Sequence, residues 1–125
     1  MSRRSVYRVV PAVVAALVLG ALAAPALVQA KATAHTAATT ITVSAKEFKF
    51  TLSKSSAKTG KVTFKVTNKG TIPHDFKINN VKTKLIQPGL SSSLTVNFKK
   101  AGKYPYECTV PGHAAAGMKG TFKVT

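Results

Sequence analysis

The chain has 125 residues, with nineteen Lys and Arg against three Asp and Glu, a formal charge of +16. That length favours one domain. The charge favours anionic partners and excludes nothing about fold.

In chain order, residues 1–30 read as an export signal. Arg3, Arg4 and Arg8 form a basic start, residues 9–28 are apolar, and Val28-Gln29-Ala30 puts small residues at a cleavage position. Ser2-Arg3-Arg4-Ser5-Val6 also resembles a twin-arginine signal. The alternative is an uncleaved anchor, since about twenty apolar residues span a bilayer. Beyond this segment stand sixteen lysines, no arginine and only Glu47, Asp75 and Glu107, a formal +13. Export, missing arginine and lysines spread singly along strands argue against a nucleic-acid partner. Residues 31–40 form an Ala/Thr-rich tether without hydrophobic period, and His35 within it is a bystander.

From Ile41 the pattern has period two. Phe48, Phe50 and Leu52 alternate with polar residues, as do Val62, Phe64 and Val66. Phe76 and Ile78, then Leu94, Val96 and Phe98, then Phe122 and Val124 repeat it. Such alternation predicts half-buried antiparallel strands. Thr59-Gly60, Asn68-Lys69-Gly70, Asn79-Asn80, Pro88-Gly89 and Ala101-Gly102 separate them as turns. Residues 41–125 are therefore expected to fold as an all-β sandwich or barrel with one modest core.

Cys108 is the only cysteine, so no internal disulfide is available, and an exported lone thiol suggests a metal ligand. Cys108, His113 and Met118 follow a C-x4-H-x4-M spacing in a loop rich in Pro111, Gly112 and Gly117. His74, after Pro73, begins another strand and can join them where sandwich loops converge. Singly, each has a blander reading: Met118 as core, Cys108 as a small hydrophobe, the histidines as loop residues. Together they make a soft mixed set, and a His2Cys plane with a weak axial Met is an electron-transfer copper geometry. Zinc, the minor alternative, accepts Cys and His but gains little from a thioether.

Asn68-Lys69-Gly70, Pro73-His74-Asp75-Phe76, Tyr106-Glu107-Cys108-Thr109-Val110-Pro111-Gly112-His113 and Gly117-Met118 resemble the small blue copper proteins, the cupredoxins, most of all the auracyanin and rusticyanin type. The resemblance implies a Greek-key β-sandwich of about seven to eight strands. It also implies one type 1 copper ion cycling between Cu(I) and Cu(II), and a role as electron shuttle with His113 as the exit. Many relatives carry Asn where this chain has Asp75, whose carboxylate is expected to reach the Cys108 loop at Thr109. Pro73, Asp75 and Thr109 are thus expected around the ligands. The small apolar surroundings of His113, namely Ile72, Pro73, Pro111 and Ala114 to Ala116, are expected to dock a partner briefly.

The function expected is an exported, monomeric one-electron carrier of the periplasm or cell surface. Its partners would be acidic redox proteins or an anionic membrane or cell surface. An enzyme is disfavoured, because three carboxylates and two committed histidines leave few groups for acid–base chemistry. Copper storage, delivery or resistance would use the same ligands, and a metal-free adhesive sandwich is the third reading.

Overall fold

The computed structural model describes residues 37–125. The proposed export signal, His35 and most of the tether lie outside the described residues.

Among the described residues nine strands form in this order: β1 Thr39–Lys46, β2 Lys49–Leu52, β3 Ser56–Ala57, β4 Gly60–Asn68, β5 Lys77–Ile78, β6 Val81–Lys82, β7 Ser91–Phe98, β8 Gly102–Glu107 and β9 Lys119–Val124. They make two sheets, β2-β1-β4-β7 and β3-β9-β8-β5-β6. The architecture is an all-β sandwich, as expected. The count exceeds eight because β3, β5 and β6 are only two residues long.

Three expectations need correction. Thr39 and Thr40 belong to β1 rather than the tether, paired with Val62 and Thr63. The β1–β4 and β3–β9 pairs are parallel. Period two reports which face is buried, and both strand directions bury alternate residues equally well. Phe76 precedes β5, so its burial comes from the end of a loop rather than from a strand.

The alternating residues fill the space between the sheets. Ile41, Val62, Phe64, Val66, Phe76 and Phe122 are fully buried. Phe64 sits at the centre, with ring centroids 5.3 Å from Phe76, 5.2 Å from Phe122 and 6.4 Å from Phe98. Edge and tilted contacts of this kind add to plain area burial. At β5–β6 the Asn79-Asn80 pair has φ of 48° and 61°, the left-handed pair that a two-residue hairpin turn needs.

One end of the sandwich gathers the connections after β1, β4, β6 and β8. Buried Asn68, the last residue of β4, ties the connections after β4 and β6 together. Its amide donates to the carbonyls of Ile72 and Ile86, 2.8 Å each, and its oxygen accepts from the Gly70 N–H at 2.8 Å. This pin converts two irregular loops into a fixed frame for what they carry.

Candidate metal centre

His74 lies in the loop between β4 and β5. Its backbone pairs with Ile86, accepting from that residue's N–H at 2.7 Å and donating to its carbonyl at 3.1 Å. The other residues come from the β8–β9 connection. There the ladder ends at the Glu107–Lys119 pair, and Cys108 and Met118 follow at once on either side. The Cys108 N–H donates to the Met118 carbonyl at 3.0 Å, and the Met118 N–H to the His113 carbonyl at 3.0 Å. Gly117, at φ 112°, lets the chain turn back immediately before Met118.

The structure brings the expected donors together. Nδ1 of His74 is 3.1 Å from Nδ1 of His113, and Sγ of Cys108 is 3.5 Å from the latter and 4.0 Å from the former. The three donor atoms lie within 4.8 Å of one another, and all three residues are buried. An ion bound trigonally to two nitrogens and a sulfur would set such edges at about 3.5 to 3.8 Å. The triangle therefore fits a single ion with little adjustment. Met118 is fully buried and joined by its backbone to both Cys108 and His113. Its thioether makes the set softer than zinc requires and suited to copper.

Burial pushes His74 below its ordinary pKa and pushes the Cys108 thiol above its own, with the Asp75 and Val110 N–H groups partly offsetting the latter. The imidazole is thus kept neutral, with a lone pair to give. The thiol holds its proton until a metal displaces it.

Asp75 occupies the expected position. Its carboxylate accepts from the Thr109 N–H and from the Thr109 hydroxyl, both at 2.5 Å. Residues adjacent to His74 and to Cys108 are thereby latched together. Lys82 Nζ lies 3.6 Å from the same carboxylate and donates to the Thr109 hydroxyl at 3.2 Å. Among the described residues every buried side-chain nitrogen and oxygen has a partner, so the site is held without strain from unpaired groups.

Two neighbours were not foreseen, Glu47 and Phe48, at the turn between β1 and β2. Glu47 Oε1 is 3.3 Å from Nε2 of His74. Backbone N–H groups, its own first and then those of Ile72 and Thr71, hold its carboxyl down at about 2. The Phe48 ring meets His113 edge-on at 5.1 Å and remains 40 % exposed. Alternation assigns Phe48 to the core, but β2 begins only at Lys49, which frees Phe48 to cover the histidine. The rarity of acids was the available signal: of three carboxylates, two stand against the ligands.

The surface beside His113 also differs from expectation. A groove of about 640 Å³ runs past it, lined by Ile72, Pro73, Leu85, Val110 and Pro111, with Lys82 and Lys84 alongside. The patch is apolar but carries charge at its edge, because β6 and the residues after it fold against a loop distant in sequence.

A two-sheet sandwich with two histidines, a cysteine and a methionine buried at one end defines a mononuclear blue copper protein. Residues 13–122 match the family model of the cupredoxin-like domain. The chain belongs to this family, and His74, Cys108, His113 and Met118 are positioned for one copper ion. A 43-residue stretch is 49% identical to auracyanin-B of Chloroflexus aurantiacus, covering 34% of this chain and 18% of that protein. A 40-residue stretch is 45% identical to the copper-resistant cuproprotein CopI of Pseudomonas aeruginosa, covering 32% and 22%. This chain thus matches about a fifth of the length of these relatives. Dithionite-reduced auracyanin from Roseiflexus castenholzii superposes with a TM-score of 0.61 at 25% identity, covering 70% of this chain and 98% of that one. An auracyanin B structure does so with a TM-score of 0.60 at 25% identity, covering 70% and 89%. An azurin of Methylomonas sp. strain J shares the fold at 19% identity, with a TM-score of 0.57.

Proposed function

We propose that this chain is an exported one-electron carrier working through a single copper ion. The observation that carries the reading is the buried triangle of His74 Nδ1, His113 Nδ1 and Cys108 Sγ, closed to 4.8 Å or less and backed by Met118. Copper bound there would supply one-electron cycling between Cu(I) and Cu(II). The chain's own part is to offer the same donors to both states. The Asn68 pin, the Ile86 pairing and the Asp75–Thr109 latch hold the donors in one arrangement, so little rearranges on transfer.

His113, 8 % exposed, is the natural edge for electrons to cross. Its groove suits brief apolar docking, and transient redox encounters need only small interfaces. Lys82 and Lys84, with the general excess of lysine, would steer an acidic redox protein or hold the carrier at an anionic surface. Export rests on the basic and apolar character of residues 1–30. The experiment is voltammetry of the copper-loaded protein. A carrier gives a reversible one-electron wave and keeps its copper through repeated cycles. A protein that sheds copper on reduction is not a carrier. Salt adds a check on steering: rates with an acidic partner should fall as ionic strength rises, since screening acts over about 8 Å at physiological salt.

A second reading, copper storage, delivery or resistance, is favoured by the likeness to CopI, itself named as copper-resistant. It uses the same ligands, and copper loss during redox cycling would support it.

A further inference from the structure

The turn between β1 and β2 carries no metal ligand, yet it touches both histidines. Phe48 packs on His113, and Glu47 reaches His74. The second contact is built rather than incidental. Oε1 of Glu47 accepts from the Thr71 N–H at 2.6 Å and from the Ile72 N–H at 3.0 Å. Residue 70 is glycine, and a Cβ there would collide with both carboxylate oxygens of Glu47. The segment from Gly70 to Ile72 is therefore shaped as a seat for this carboxylate. Two residues later the same segment carries His74.

The seat decides which nitrogen of His74 can serve a metal. Nδ1 faces the other donors, so a binding ring must carry its proton on Nε2. A carboxylate 3.3 Å from Nε2 stabilises that tautomer and fixes the plane of the ring. It also leaves one negative charge beside the ligand. A metal site gains most from a partner that is itself immobile, and here two backbone N–H groups immobilise it.

We propose that Glu47 is the positioning residue of the metal centre. Seated on Thr71 and Ile72, it holds His74 as the Nε2–H tautomer with Nδ1 turned to the metal, and its charge favours Cu(II) over Cu(I). The redox half of this statement rests on the copper reading above. The tautomer half concerns the metal-free protein. The competing explanation is that Glu47 merely clasps the backbone of residues 71–72 and that its contact with His74 is idle.

The test uses the full chain in three variants. Long-range nitrogen–proton NMR of the metal-free wild type should show His74 as the Nε2–H tautomer with a slowly exchanging proton. Glu47→Gln keeps an acceptor oxygen without the charge; it should keep the tautomer and raise the reduction potential. Glu47→Ala should mix the tautomers and weaken Cu(II) binding about 10- to 100-fold. Gly70→Ala leaves every donor intact but puts a methyl group where the carboxylate sits, and should reproduce the Glu47→Ala result. A His74 tautomer unchanged in both alanine variants, or a potential unmoved by Glu47→Gln, overturns the proposal in favour of the clasp. A wild type lacking a thiolate-to-copper band overturns the copper reading itself, and with it the redox half. The tautomer comparison still confirms or refutes the seat.

Discussion

Replacing Asp75 tests how the two ligand-bearing segments are held together. In Asp75→Ala the Thr109 N–H and hydroxyl lose an acceptor 2.5 Å away, in a site where Asp75 is only 5 % exposed. Hydrogen bonds to a charged group contribute about 1.5–3 kcal/mol each, and a stranded N–H costs about 1–3 kcal/mol. The Lys82 pair adds little, since its ammonium is half exposed. These terms overlap, so the net loss should be about 3–5 kcal/mol. Small domains have about 5–15 kcal/mol in total, so the alanine variant forfeits a large share. Asp75→Asn should behave differently. Its amide oxygen can still accept from the Thr109 N–H, while its NH2 donates to the Thr109 hydroxyl with the polarity reversed. Its cost should be about 1 kcal/mol. Urea unfolding of the metal-free protein reads both. With a slope of about 1 kcal/mol/M, the alanine midpoint should fall by about 3–5 M, or the variant should be unfolded without urea. An alanine variant within about 1 kcal/mol of wild type would refute the latch. Asparagine as damaging as alanine would show that charge, not hydrogen-bond geometry, makes it.

Three further outcomes are expected. Met118→Leu should keep copper and raise the potential, because a donor to Cu(II) is lost, while Met118→Gln should lower it; voltammetry decides, and a potential indifferent to both removes Met118 from the site. Phe64→Ala, at the meeting point of Phe76, Phe98 and Phe122, should cost about 3–5 kcal/mol in the same urea assay. The metal-free protein should lose stability toward acid. His74 has a folded pKa below its ordinary 6.5 and Glu47 one of about 2 against 4.5, so in both windows the unfolded chain binds more protons. Stability should therefore fall as pH drops below 6.5 and again from 4.5 toward 2; Glu47→Gln should flatten the lower limb and, because the Glu47 carboxylate holds the His74 pKa up, deepen the upper one.

Much of the fold was legible because alternation is a local signal. Val62, Phe64 and Val66, or Leu94, Val96 and Phe98, declare their buried face within five residues. The ligand loop was legible for the same reason, with Cys108, His113 and Met118 on one short stretch. Asp75–Thr109 could be anticipated because each neighbours a ligand. What remained hidden depends on pairing across distance. The parallel β1–β4 register has no mark in either strand. Glu47 lies 27 positions from His74, and in sequence it is one charged residue at a turn. Lys82 and Lys84 reach the His113 groove only once the loop after β6 has folded back.

The central claim is that Cys108, His74 and His113 place a thiolate and two imidazoles on one copper ion. Visible and electron-paramagnetic spectra of the Cu(II)-loaded protein test it most directly. The account expects an intense thiolate-to-copper band, blue or greenish, with unusually narrow copper hyperfine splitting, and its loss in Cys108→Ser. A wild type showing only the faint absorption and wide splitting of an ordinary nitrogen–oxygen copper site would contradict it.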